Sequence, residues 1–127
     1  MTALDPDTIK AEITERAHAL GFDAVGFAAP APPRDAAENL AAYLDQGRHG
    51  DMDWMARNAE RRADPRALWP GVGTVISLGL NYGPADDPLA LLERRTRGVV
   101  SVYARGGDYH KLMKRRLKRL ARGLAED

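Results

Sequence analysis

The stretch TVISLGLNY, residues 74–82, is the clearest β-strand in the sequence, because it is apolar and partly β-branched and follows the turn-forming Gly71 and Gly73. Two more strands are predicted, at FDAVGFA (residues 22–28), which we expect to be buried, and at VVSVYA (residues 99–104). Helical patterns alternate with these strands. The order predicts an α/β fold in which a small sheet is flanked by helices.

The first two predicted helices have recognisable start and stop signals. Asp5 and Pro6 suit the N-cap and first helical position of a helix that Gly21 ends. Asp35 and Glu38 have the spacing of a capping box, in which two side chains satisfy the free amides of a second helix.

Further along the chain, a short helix is predicted after Gly50, a loop or turn over residues 61–65, and a loop or short helix from Asp86. Asp108 is placed to cap a final helix. The apolar positions of that helix lie at helical spacing: Leu112, Met113, Leu117, Leu120 and Leu124.

Length and composition describe one globular domain. The chain has 127 residues, of which 44% are hydrophobic and 29% charged, and it has no apolar run long enough to cross a bilayer. The residues after Met1 lack the basic and apolar segments of a secretory signal. We therefore expect a cytoplasmic protein that does not associate with membranes.

The absence of cysteine excludes disulfides and thiolate-bound metals or iron–sulfur clusters from this chain. The three histidines lack the spacing of a helical metal site, so no metal ligand is predicted. The net charge is +1, but basic residues are concentrated in KLMKRRLKRLAR, residues 111–122. This segment leaves open an alternative function, a non-catalytic module that binds RNA or another anion through a basic helix. A solvated helix face is the other interpretation of the same charges.

Two segments have the chemistry of a ligand site. Residues 57–70 place four arginines near two tryptophans, and guanidinium groups in a turn can bind a phosphate or an amide-rich ligand. Residues 101–110, SVYARGGDYH, combine a predicted strand end, two glycines and a helix start, which often border ligands in α/β folds. An ordinary surface loop and a tight connection are the alternatives for the two segments.

Together, several motifs resemble one protein family over nearly the whole chain. They are GRHGDMDWM (residues 47–55), the turn RADPRALWPG (residues 62–71), the strand that follows it, and YARGGDYH (residues 103–110). Their combination is similar to the N-terminal region of the epoxyqueuosine reductases.

The resemblance implies an oxidoreductase that reduces epoxyqueuosine to queuosine in tRNA, the last step of queuosine biosynthesis. It implies a cobalamin cofactor and two [4Fe–4S] clusters, with cobalamin in an α/β domain of nitroreductase-like fold and the clusters in a ferredoxin-like domain that follows. On this basis residues 1–127 are the N-terminal part of an incomplete cobalamin-binding domain, and tRNA is the partner of the full enzyme. The electron donor is not indicated.

Two residues match cobalamin-contacting positions of the family, Arg62 and Ser101. We expect them to converge around the corrin ring. Tyr103, Asp108 and the rest of the last motif match the family signature without an assigned role. The proton-donating aspartate of the family is expected downstream, since Asp127 does not match its context. The chain is therefore expected to be a fragment without a catalytic residue of its own, inactive when isolated.

Overall fold

The computed structural model describes residues 5–126, so the predictions that rest on Met1 and Asp127 lie outside the described range. Within it, the elements in chain order are α1 (Pro6–Ala19), β1 (Ala24–Ala28), α2 (Ala36–Asp45), α3 (Asp53–Ala56), α4 (Ala59–Ala63), α5 (Pro65–Leu68), β2 (Val75–Gly79), short 3-10 helices at Pro88–Glu93 and Val102–Ala104, and α6 (Tyr109–Ala125). No helix among these residues is long and apolar enough to span a membrane.

The strands β1 and β2 form an antiparallel pair, in which the start of β1 lies beside the end of β2. The amide of Asp23 donates to the carbonyl of Gly79 at 2.9 Å, and the Asp23 carboxylate accepts from the amide of Asn81 at 2.7 Å. The predicted α/β class, a small sheet with helices, is confirmed. The chain divides into two compact units, residues 5–25 with 78–126 and residues 26–77, and the boundary falls within both strands.

Helix α1 begins and ends where its sequence signals predict. The Asp5 carboxylate accepts from the amide of Thr8, and Pro6 occupies the first turn. At the other end Gly21 adopts a left-handed conformation with φ of 87°. The Gly21 amide donates to the carbonyl of His18 and the Phe22 amide to that of Ala17. These two bonds form a Schellman motif, which turns the chain back against the helix it has just left.

The core of the first unit is built on this turn. Ala17, Phe22 and Leu120 are its buried residues, and Phe22 is only 2% exposed. Burial of one such aromatic side chain contributes about 1.5 to 3 kcal/mol. The side chains packed around the three are partly buried: Leu20, Val25, Leu78, Met113 and Leu124.

Two arginines join α1 to α6 at the edge of this core. Arg116 donates through Nη1 to the carbonyl of Gly21 at 2.8 Å, and Arg16 donates through Nη1 to the carbonyl of Gly123 at 2.9 Å. Each guanidinium thus satisfies a backbone carbonyl near the C-terminal end of the opposite helix, where the helix dipole favours a positive charge.

In the second unit, the segment predicted as a loop or turn over residues 61–65 contains the end of α4 and the start of α5, which meet at the extended Asp64. Asp64 ends α4 and caps α5, because its carboxylate accepts from the amide of Arg66 at 2.8 Å while Pro65 occupies the first helical turn. Asp35 does occupy the N-cap of α2, but its side chain makes no capping bond. The predicted capping bond from the Asp35 side chain is therefore not formed, and the neighbouring amide of Ala36 donates to the carbonyl of Pro33.

The predicted strand over residues 99–104 is absent from the described structure, where a short 3-10 helix occupies Val102–Ala104. A strand requires a neighbour to satisfy its backbone. Here the Ala104 amide donates to the carbonyl of Ser101, and the carbonyl of Val100 accepts from Arg105. Residues 22–28 are also less buried than predicted, since alternate residues of β1 are exposed.

We expect Gly21→Ala to destabilise the protein by about 1 to 2 kcal/mol, because an L-residue is strained at positive φ. A Cβ there would also lie 3.0 Å from the Arg116 guanidinium. Thermal unfolding followed by circular dichroism measures the change. Gly98→Ala is the control, since its φ is not positive and its added Cβ meets nothing within 4 Å. Equal stability of the two variants would contradict the Schellman motif.

We expect Leu120→Ala to cost about 2 to 3 kcal/mol, in the lower part of the range for buried leucines because the core is small. Leu120 is 5% exposed, whereas Leu89 is 66% exposed, so Leu89→Ala serves as its matched control. Urea unfolding gives both values. A loss at Leu89 as large as the loss at Leu120 would show that the core lies elsewhere.

Candidate functional site

The segment of residues 101–110 is shaped by bonds among its own residues. Arg105 donates through Nε to the carbonyl of Val100 at 3.0 Å, and Gly106 takes a left-handed conformation with φ of 90°. Asp108 caps α6, because its Oδ1 accepts from the amide of His110 at 2.9 Å and lies 3.0 Å from His110 Nδ1. Arg105 and Asp108 of this motif therefore fix a turn, which suits a loop that borders a ligand.

An aromatic cavity lies on the same unit. Its volume is about 460 Å³, and its lining is largely apolar. Three tyrosines at the cavity are substantially exposed. The lining residues are Leu80, Tyr82, Tyr103, Tyr109 and Met113. Such a surface suits a planar ring, because aromatic faces stack on it while the phenol hydroxyls remain available for hydrogen bonds.

The turn explains how two tyrosines from one motif reach one cavity. Tyr103 lies in the 3-10 helix and Tyr109 at the start of α6, with the left-handed Gly106 between them. Tyr109 also stacks on His110, with ring centroids 4.1 Å apart. The sequence motif alone assigns these tyrosines no role. Their position on either side of a glycine turn is the signal that could have paired them.

Ser101 occupies the N-cap of the 3-10 helix Val102–Ala104. Its carbonyl accepts from the amide of Ala104 at 2.9 Å, but its hydroxyl makes no capping bond and the residue is exposed. The Ser101 hydroxyl is therefore available to a ligand, although it does not end a strand as the sequence predicted.

Arg62 lies in α4, in the second unit. It donates through Nη2 to the carbonyl of Trp54 at 2.9 Å, and its guanidinium carbon lies 4.9 Å from the centroid of the Trp54 ring. The carbonyl and the cation–π contact hold the group in a fixed orientation. Among residues 5–126 its other guanidinium nitrogens have no hydrogen-bond partner, so they can donate to a ligand.

Arg62 and Ser101 belong to different units, each of which is described by itself. Their predicted convergence around one ligand therefore stays a prediction. No group of three or more histidine, aspartate or glutamate residues within 5–126 could hold a metal ion.

The family model described as "Epoxyqueuosine reductase QueG, DUF1730" matches residues 62–127. This matched segment contains Arg62, Ser101 and the whole 103–110 motif. The match defines a member of a family whose relatives are named as reductases. The chain belongs to the epoxyqueuosine reductase QueG family.

Curated relatives agree over most of this chain. It is 42% identical to the epoxyqueuosine reductase of Escherichia coli K12 over 118 residues, which cover 92% of this chain and 31% of the relative. The Salmonella typhimurium enzyme is 43% identical over 92% of this chain and 30% of its own length. The Vibrio cholerae enzyme is 38% identical over 98% of this chain and 34% of its own length. The chain thus spans about a third of these relatives.

A solved structure supports the fold. The epoxyqueuosine reductase of Streptococcus thermophilus superposes with a TM-score of 0.70, covering 94% of this chain and 32% of that protein at 24% sequence identity. With the family established, the alternative of a non-catalytic RNA- or anion-binding module is not favoured.

We expect Asp108→Ala to destabilise the start of α6 by about 1 kcal/mol, because it removes an N-cap acceptor. Asp35→Ala is the matched control, since Asp35 occupies an N-cap without a side-chain bond. Hydrogen exchange at the amides of residues 109–112 reports the fraying. Unchanged exchange in the Asp108 variant would rule out the cap.

Proposed function

We propose that this chain is the N-terminal part of the cobalamin-binding domain of an epoxyqueuosine reductase, which reduces epoxyqueuosine in tRNA to queuosine. The observation that carries the proposal is the family match over residues 62–127, which includes both predicted cofactor residues and the signature motif. Since the chain spans about a third of its relatives, the activity belongs to the longer protein. We propose that it acts in the cytoplasm, with tRNA as its substrate.

The residues of this chain suit cobalamin in the chemistry of their donors. Cobalamin has amide side chains and a phosphate, both of which accept hydrogen bonds. Arg62 retains free guanidinium N–H groups, and Ser101 retains a free hydroxyl, among the described residues. We propose that these two side chains bind the cofactor. The tyrosine cavity is smaller than a whole cobalamin, so we assign it a single planar ring or ring edge.

Cobalamin, when bound, supplies the redox-active cobalt centre for epoxide reduction. The chain's own contribution is to bind and orient. Arg62 donates hydrogen bonds from an orientation favoured by Trp54. The exposed Ser101 hydroxyl provides a further hydrogen-bonding group, and the tyrosine cavity provides apolar surface for a ring.

Iron–sulfur clusters do not fit this chain. Their usual ligands are cysteine thiolates, and the sequence has no cysteine. We therefore assign the [4Fe–4S] clusters, and the aspartate that donates a proton, to the remaining length of the longer protein. Electron transfer and proton donation are then outside the residues described here.

We expect the 127-residue chain to bind cob(II)alamin with a change in its visible and paramagnetic spectra. Arg62→Ala should weaken this binding about 10- to 100-fold, because hydrogen bonds from a charged donor contribute roughly 1.5 to 3 kcal/mol. A spectroscopic titration measures the affinity, and circular dichroism checks that the variant remains folded.

Arg61→Ala is the matched control, because Arg61 is an exposed neighbour in α4 whose side chain makes no hydrogen bond within residues 5–126. It should bind cob(II)alamin like the parent chain. No spectral change with a folded parent chain, or equal losses in the two variants, would overturn the assignment of Arg62.

A further inference from the structure

The outer face of α6 has an uninterrupted set of positive charges. Seven of the nineteen Lys and Arg residues of the chain lie in this helix, and none of the eighteen Asp and Glu residues does. The rest of the chain accordingly has twelve basic and eighteen acidic residues. Arg116 is engaged by the carbonyl of Gly21. We call the other six the basic stripe: Lys111, Lys114, Arg115, Lys118, Arg119 and Arg122.

Helical geometry brings the six side chains to one face. Their spacings of three and four residues repeat along the helix, and from Lys111 to Arg122 the stripe extends about 16 Å. All six are exposed and line one shallow cleft of about 390 Å³. Among residues 5–126 none of them has an acidic partner within 4.0 Å.

Solvation alone is a poor explanation for this face. Alternating charges at this spacing would favour the helix, because opposite pairs stabilise it by about 0.2 to 0.5 kcal/mol and like pairs destabilise it by a similar amount. The stripe contains several like pairs and no opposite pair, including Lys114 with Lys118 and Arg115 with Arg119. An anionic partner would remove that repulsion.

The rest of the helix identifies the kind of anion. A helix that lies on a membrane needs a free apolar face, but here Leu120 is buried and Met113 and Leu124 pack against the core. A protein partner would need an apolar centre to its interface, whereas the stripe consists of charged side chains. A row of cations without apolar anchors fits the phosphate backbone of a nucleic acid.

We propose that the basic stripe of α6 is a docking surface for the RNA backbone, contacting several phosphates without reading sequence. The inference rests on the proposed function only for the identity of the RNA, a tRNA. It differs from the non-catalytic module considered above, because it assigns the stripe to a reductase as a surface that binds substrate.

The test is RNA binding by the 127-residue chain, measured by fluorescence anisotropy with an unmodified tRNA and with an unrelated RNA hairpin at 50 to 200 mM salt. The double variant Arg115→Gln/Arg119→Gln should bind both RNAs about tenfold more weakly at the lowest salt. The slope of log Kd against log salt concentration should be smaller for the double variant by about two, roughly one for each lost phosphate contact. Glutamine has nearly the helix propensity of arginine, so α6 should remain folded.

The control is Arg94→Gln/Arg95→Gln, which removes the same charge from exposed arginines outside the helix. It should leave RNA binding nearly unchanged. An equal loss of RNA binding in the control would overturn the proposal. So would a preference for tRNA that the double variant abolishes while its binding to the hairpin is unchanged. Binding to phosphatidylserine vesicles in place of RNA would also overturn it.

The cob(II)alamin titration separates this inference from the proposed function. Both double variants should bind cobalamin like the parent chain. If the parent chain binds cobalamin but not RNA, the RNA-docking role of the basic stripe is contradicted and the proposed function still holds. If the stripe variant loses RNA binding and neither the parent chain nor any variant binds cobalamin, the RNA-docking role is supported and the cofactor assignment is contradicted.

Discussion

The end of α1 is the constraint on which the first unit depends. Gly21 can take the left-handed conformation that closes the helix, and this turn directs Phe22 back against Ala17 and Leu120. The same turn exposes the Gly21 carbonyl to Arg116 of α6. The conformation of Gly21 therefore determines both how the core packs and how α6 is attached to α1. Arg116 and Gly21, which form this attachment, are 95 residues apart in sequence.

That attachment determines what α6 can do. Because Leu120 and Arg116 face the core and α1, the opposite face with its basic residues is left to solvent. The start of α6 is fixed independently by Asp108. Tyr109, the first residue of the helix, thereby reaches the aromatic cavity. A single helix thus contributes to the core, to the candidate ligand cavity and to a charged surface, with each role assigned to a different side.

Local signals in the sequence predicted the elements whose geometry is decided locally. Asp5 and Pro6, Gly21, and Asp108 act within one helical turn, and the structure confirms each. The strand prediction for VVSVYA, residues 99–104, was wrong, because β-branched residues form a strand only where a neighbouring strand pairs with their backbone. The loop prediction for residues 61–65 was wrong, because Asp64 is both the C-cap of α4 and the N-cap of α5, so helices lie on either side of it.

The candidate site was predicted less completely than the fold. The family resemblance identified Arg62 and Ser101. The sequence placed four arginines near two tryptophans, but it did not single out Trp54 as the partner of Arg62. The cavity was missed because Tyr82 follows β2, whereas Tyr103 lies in the second 3-10 helix and Tyr109 in α6, and only the path of the chain brings Tyr82 to the other two. Contacts between residues far apart in sequence have no periodic signature.

The bond between Arg116 and the Gly21 carbonyl has a consequence for acidic conditions. An arginine that pairs with a carboxylate loses that attraction once the carboxylate gains a proton. Here the acceptor is a peptide carbonyl oxygen instead. The link between the first and last helices through Arg116 therefore contains no carboxylate whose protonation would weaken it.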